Sequence, residues 1–211
     1  MMPLMEVADG IYKVDGVRIA NVYLVTIEDG IMLVDSGMPG NAKRVLAFVE
    51  RLGRQPRELR YVVLTHCDID HVGSAAELKT LTGAEVAIHE LDAPVLSGKQ
   101  RPQKGGLAMV ALYRLFRFRP VVPDVLLGDG DTIGGFRVLH VPGHTAGSIA
   151  LRRDDGVVFS GDALLSDKHG RVLPPDPRLS QDPAQALASA EKIKALGITH
   201  LLTGHGAPAS G

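Results

Sequence analysis

A chain of 211 residues, 45% hydrophobic and 22% charged, is long enough to bury a core of its own and has the composition of a globular protein. Its formal net charge of -1, without any block of like charges, excludes a global electrostatic attraction to nucleic acid. No apolar run approaches the roughly 20 residues that a bilayer crossing requires, which excludes a spanning helix of that kind.

In chain order, "MMPLMEVADG" opens without a cationic stretch and carries Glu6 and Asp9, so it does not read as a secretory signal. The single cysteine, Cys67, makes no internal disulfide, and both features point to the cytoplasm. "IYKVD", "IANVYLVTI" and "IMLVDSG" are apolar and β-branched and predict strands. "GNAKRVLAFVERLG" places apolar residues at helical spacing. "ELRYVVLTH" reads as a buried strand, "SAAELKTL" as a helix and "AEVAIHE" as a further strand. From about Asp124 the alternation resumes with "VLLGDGDTIGGFRVLHVPGH", "SIALRRDDGVVFSGD", a helix over "DPAQALASAEKIKAL" and a last strand at "THLLTGHG". The chain is therefore expected to form one domain, 1–211, with halves of about 1–93 and 124–211. The joining segment, 94–123, has no Asp or Glu but contains Lys99, Arg101, Lys104, Arg114, Arg117 and Arg119.

Between the "YVVLT" strand and the "SAAELKTL" helix stands His66-Cys67-Asp68-Ile69-Asp70-His71, on a strand-to-helix loop. Imidazole nitrogen and carboxylate oxygen suit zinc and other first-row divalent ions. In an extended stretch His66 and Asp68 share a side, while the adjacent Asp70 and His71 diverge, which suits two metals. His144 in "PGHTAGS", Asp162 in "FSGDALL" and His205 in "TGHGAP" recur at strand ends beside glycine, which permits tight turns and close backbone approach.

Taken together, His66, Asp68, Asp70, His71, His144, Asp162 and His205 resemble the metallo-β-lactamase superfamily, whose usual signature is H-x-H-x-D-H followed by single His, Asp and His ligands. "VDSG" resembles that family's first motif, with Asp35 supporting the metal loop from behind the ligands. The resemblance implies an α+β fold, a four-layer αββα sandwich of two mixed sheets flanked by helices. It implies two divalent metal ions, with His66, Asp68 and His144 at the first, Asp70, His71 and His205 at the second, and Asp162 bridging. The implied activity is hydrolysis of an ester, thioester, lactone or related bond of a small substrate by hydroxide generated at the metals, with Asp70 also orienting the nucleophile. Two other readings stay open: a mononuclear iron sulfur dioxygenase using His66, His144 and Asp162, and a non-catalytic binding module stapled by metal.

Asp68 departs from the family pattern, which carries histidine there. Zinc is the expected metal, and the harder carboxylate shifts preference toward manganese or iron. Cys67 is expected to point away from His66 and Asp68 into loop packing. The basic segment is the expected source of substrate contacts, with Tyr113, Arg114 and Arg117 as candidates and His169 as a further candidate at the pocket mouth; an anionic substrate fits its cations. A packed connecting helix or a homodimer contact is the alternative role for that segment. His89, His140 and His200 are expected to be ordinary solvated or hydrogen-bonded residues. No nucleic-acid or membrane partner is expected.

Overall fold

The computed structural model describes residues 4–102, 115 and 119–210. Tyr113, Arg114 and Arg117 lie outside the described residues. Seven strands form the first sheet in chain order: β1 (Met5–Ala8), β2 (Ile11–Lys13), β3 (Tyr23–Ile27), β4 (Gly30–Val34), β5 (Leu59–Val63), β6 (Glu85–His89) and β7 (Val125–Leu127). The first four strands run as antiparallel neighbours, whereas β4 through β7 are parallel. The parallel crossovers carry α1 (Ala42–Arg51), the single turn α2 (Ile69–Val72), α3 (Ala75–Thr82) and the single turn α4 (Ala93–Leu96).

The second sheet has six strands, β8 (Thr132–Ile133), β9 (Phe136–His140), β10 (Ile149–Arg152), β11 (Val157–Gly161), β14 (His200–Thr203) and β15 (Ala209–Ser210). A hairpin of β12 (Leu165–Ser166) and β13 (Val172–Leu173) precedes α5 (Pro183–Lys194), which returns the chain to β14, parallel to β11. Because β7 pairs with β6, the change of sheet lies past Leu127 and not at residue 124, where the sequence pattern resumes.

Side-chain alternation along the strands builds the layers. In β3 and β4, Tyr23, Val25, Met32 and Val34 face the second sheet and pack with Phe136, Val138, Ile149, Leu151 and Phe159. Their neighbours Leu24, Ile31 and Leu33 face the other way, against Val45, Phe48 and Val49 of α1 and Leu78 of α3. That double burial explains why "IMLV" reads as an unbroken apolar run. On the far side, Ala150, Val158 and Leu201 pack against Ala190 and Ile193 of α5. Helix, sheet, sheet and helix therefore stack in four layers, as the sequence leads one to expect. α5 starts where Asp182 accepts a hydrogen bond from Gln185 N and Pro183 sets the first turn, and it carries Lys192 and Lys194 in its last turn, as the helix dipole favours. Among the described residues no helix is long and apolar enough to cross a membrane.

Candidate metal centre

β4, β5, β11 and β14 end at the same edge of the sandwich, and the polar residues of interest follow them there. β5 runs into Thr65-His66-Cys67 and the chain then turns into α2, with Asp68 at its N-cap. The carbonyl of Asp68 accepts hydrogen bonds from His71 N and Val72 N, but its side chain makes no capping bond. Instead, Asp68 Oδ2 lies 3.1 Å from His144 Nε2 and 3.5 Å from His66 Nε2. Asp68 therefore faces the other candidate ligands.

Three overlapping groups bring ligand atoms within 4.8 Å of one another: His66, Asp68 and His144; Asp70, His71 and His205; and His66, His71 and Asp162. Asp162 stands between the first two groups. Its Oδ2 is 3.5 Å from His144 Nε2 and 3.3 Å from His205 Nε2, and its Oδ1 is 3.5 Å from His71 Nε2. The expected divergence of Asp70 and His71 does not occur. Both lie on the turn α2, where neighbours are separated by about 100° and not by the 180° of a strand, so both reach the second group.

The hydrogen bonds behind the histidines decide which nitrogen each presents. His71 Nδ1 donates to Asp35 Oδ2 at 2.8 Å, leaving Nε2 toward the site. The Thr65 hydroxyl donates to Asp35 and accepts from His66 Nδ1 at 3.0 Å, so His66 also presents Nε2. His205 Nδ1 donates to the carbonyl of Ile19 at 2.9 Å. Asp35 sits at φ +61, a conformation that Asp tolerates better than most residues, and also accepts from Thr65 N. Ile19 sits at φ +79, where a β-branched residue is strained, and its carbonyl is held beside the site.

Metal ions fit this arrangement on the structure's own terms. His66 Nε2 and Asp162 Oδ1 are buried without a hydrogen-bond partner, an expensive state for polar atoms unless something else satisfies them. A Cβ at Gly204 would collide with Asp162 Oδ1 and approach His71 Cε1 to 2.8 Å, so only glycine leaves the cluster its room. All the donor atoms are imidazole nitrogen or carboxylate oxygen, the set that borderline divalent ions prefer.

Charge is finely balanced in the metal-free cluster. Burial pushes the His71 imidazole pKa down, but the carboxylates of Asp35, Asp70 and Asp162 outweigh it and raise the value to about 10. Burial likewise works against His205, whose hydrogen bond and proximity to Asp162 carry its pKa above the ordinary value. Burial would raise the Asp162 pKa, yet the facing His71, His205 and His66 hold it well below the usual carboxylate range. A metal must displace the proton on His71, so its apparent affinity is expected to climb with pH, by about tenfold per unit below the His71 pKa of about 10. Chelator-competition titrations between pH 6.5 and 8.5 check this; an affinity independent of pH contradicts it.

Four features were not legible in the sequence. Asp92 is buried behind the His66 and His144 loops and accepts hydrogen bonds from both. Asn21 holds the His205 loop by donating from Nδ2 to the carbonyls of Thr203 and Gly206, each at 2.9 Å. The Ile19 carbonyl is a backbone group that any residue type would supply. The pocket wall is the fourth: a cavity of about 150 Å³ is lined by His144, Asp162 and His205 together with Leu165, Asp176 and Leu179. The β12–β13 hairpin contributes Leu165 to that wall, while His169 is exposed on the hairpin's turn and is absent from the lining. Cys67 is buried in the helix-side core cluster and belongs to none of the three ligand groups. His89 and His140 stack on each other with centroids 4.2 Å apart, and His140 Nε2 bonds the carbonyl of Ala146.

Residues 15–205 match the profile of a family described as the metallo-beta-lactamase superfamily. The chain is 30% identical, over 98% of its own length and 87% of the relative's, to a probable metallo-hydrolase, YflN, of Bacillus subtilis. It is 29% identical to the hydroxyacylglutathione hydrolase GloC of Haemophilus influenzae, over 85% and 81% of the two chains. Among solved structures it resembles a subclass B3 metallo-β-lactamase of Bradyrhizobium japonicum, with a TM-score of 0.72 at 26% identity over 96% and 77% of the chains. It also resembles a protein solved in a di-iron-bound form, with a TM-score of 0.68 at 30% identity over 90% and 89%.

Proposed function

The chain belongs to the metallo-β-lactamase superfamily, a superfamily of metallo-hydrolases, and on that premise we propose that it is a two-metal hydrolase of an ester, thioester, lactone or related bond in a small molecule. The observation that carries this reading is the convergence of all seven side chains on one edge of the sandwich, in two ligand groups with Asp162 between them. Bound there, divalent ions would lower the pKa of a water toward about 7 and polarise the electrophile's oxygen. His66, Asp68 and His144 would hold one ion and Asp70, His71 and His205 the other. Asp70 Oδ2, 3.4 Å from His205 Nε2, would in addition accept a hydrogen bond from the attacking water and orient it. The mononuclear iron dioxygenase and the stapled binding module stay as alternatives, which oxygen consumption and the lack of any turnover respectively would mark.

Leu165 and Leu179 give the cavity an apolar side where a substrate's acyl portion would rest. Similarity to a hydroxyacylglutathione hydrolase makes thioesters the first class to test. Zinc, manganese and iron forms assayed against thioester, ester, lactone, phosphodiester and β-lactam substrates test the reading; oxygen consumption in place of hydrolysis contradicts it. The substrate is the expected partner, in the cytoplasm.

Asp68 sets the expected metal. Two divalent ions carry +4; Asp68, Asp70, Asp162 and one hydroxide carry -4, whereas a histidine at 68 would leave +1. A neutral centre with a harder ligand shifts preference from zinc toward manganese or iron. Asp68→His is therefore expected to raise the zinc-to-manganese affinity ratio by about tenfold, read by competition binding and elemental analysis. Two tightly held zinc ions, unchanged by the substitution, would sink the claim.

A further inference from the structure

Asp92 stands at the N-cap of α4, in the sequence "ELDAPVL", where aspartate followed by a proline in the first turn is an ordinary start of a helix. Its carboxylate does not cap that helix. The carbonyl of Asp92 takes the bonds from Val95 N and Leu96 N, and the side chain turns instead toward the metal loops. There Oδ2 accepts from Cys67 N at 2.9 Å and from the Thr145 hydroxyl at 2.7 Å, while Oδ1 accepts from Gly147 N at 2.9 Å. The residue is only 2% exposed, so a carboxylate has been desolvated to make these bonds.

We infer that Asp92 is the positioning residue of the first metal group, which rests on the two-metal reading above. The argument is one of reach. His66 and Asp68 come from the loop after β5, His144 from the loop before β10, and the two loops are joined at Asp92 through the peptide of Cys67, between the first two ligands, and the residue following the third. Gly147 is glycine because Asp92 fills its Cβ position, within 2.7 Å of Cγ, Oδ1 and N. The Thr145 hydroxyl, itself 2.8 Å from Ser148 Oγ, ties the His144 turn into the same network. Asp35 performs the corresponding task for the second group through His71. Asp92 thus stands behind loops of the first group alone, whereas Asp35 holds His71 and also reaches His66 through the Thr65 hydroxyl. A short ligand such as Asp68 makes the spacing of the first pair of loops more demanding, because it reaches less far than a histidine.

Asparagine at 92 would keep the shape but turn an amide N–H₂ toward donors on one side, loosening one loop from the other. Zinc binding is measured with a chromophoric chelator in two backgrounds that each leave one ligand group: His205→Ala for the first and His66→Ala for the second. Asp92→Asn is expected to weaken zinc about 10–100-fold in the first background and by less than about threefold in the second. Thr145→Val is expected to follow the same pattern more mildly, and Thr145→Ser, which keeps the hydroxyl, to restore it. These milder variants carry the test if Asp92→Asn does not fold. Equal weakening in both backgrounds, as a general loss of stability would give, or no weakening in either, overturns the inference. A wild type that binds no zinc, manganese or iron overturns the two-metal reading and the positioning role with it, so the two failures are distinct.

Discussion

Replacing Asp162 by alanine is expected to lower kcat/KM by at least about a thousandfold, roughly 4 kcal/mol of transition-state stabilisation, for whichever substrate the wild type hydrolyses. Asp162 approaches histidines of both ligand groups, with Oδ2 between His144 and His205 and Oδ1 beside His71. Its removal opens both ion sites at once and takes one of the facing anions from His71 and His205, leaving Asp70 Oδ2 at 3.7 and 3.4 Å from them. Asp70→Ala is expected to give a comparable loss of activity by a different route, since Asp70 belongs to the second group alone. Elemental analysis separates the two: Asp162→Ala loses both metals, whereas Asp70→Ala keeps the one held by His66, Asp68 and His144. Full turnover with two tightly held ions in Asp162→Ala would contradict the bridging role.

Asp35→Asn is expected to cost the metal-free protein about 3–5 kcal/mol, the range for removing one partner of a buried ion pair. Asparagine tolerates the φ of +61 as aspartate does, so the substitution removes charge without changing the backbone's preference. In the native protein Asp35 accepts from His71 Nδ1, Thr65 N and the Thr65 hydroxyl, and is 2% exposed. The pH dependence has a definite sign. His71 has a folded pKa of about 10, above its ordinary 6.5, so its contribution is fully present below 6.5 and fades as pH rises through 10. The penalty for Asp35→Asn, measured by denaturant unfolding without metal, should therefore be larger at pH 6 than at pH 10. An amide whose oxygen keeps the bond from Thr65 N turns its N–H₂ toward His71 Nδ1, and the tautomer this favours, with the proton on Nε2, has no lone pair for a metal. The second ion should bind about 10–100-fold more weakly as a result. A penalty that is the same at both pH values would show that Asp35 acts on the backbone and not on the imidazole.

The sequence by itself determined the candidate ligands, their order and the alternation that places them at strand ends. Residue type carries that information directly, since few side chains bind a divalent ion and strand and helix periods show in the spacing of apolar residues. It also showed Asp35 as a support, through the "VDSG" motif. Whether Asp68 faces the site, and that Asp70 and His71 reach the same group, depended on the chain turning into α2 directly after Asp68. Asp92 was hidden for a physical reason: before "APVL" it has the appearance of a helix cap, and only the packing of α4 shows its carboxylate diverted 25 residues back to Cys67 and 53 forward to Thr145. The Ile19 carbonyl is hidden more completely, because a backbone acceptor leaves no mark in residue type, and its partner His205 is 186 positions away. Tertiary structure alone decided these contacts, since hydrogen bonds between loops brought together by two packed sheets obey no sequence period.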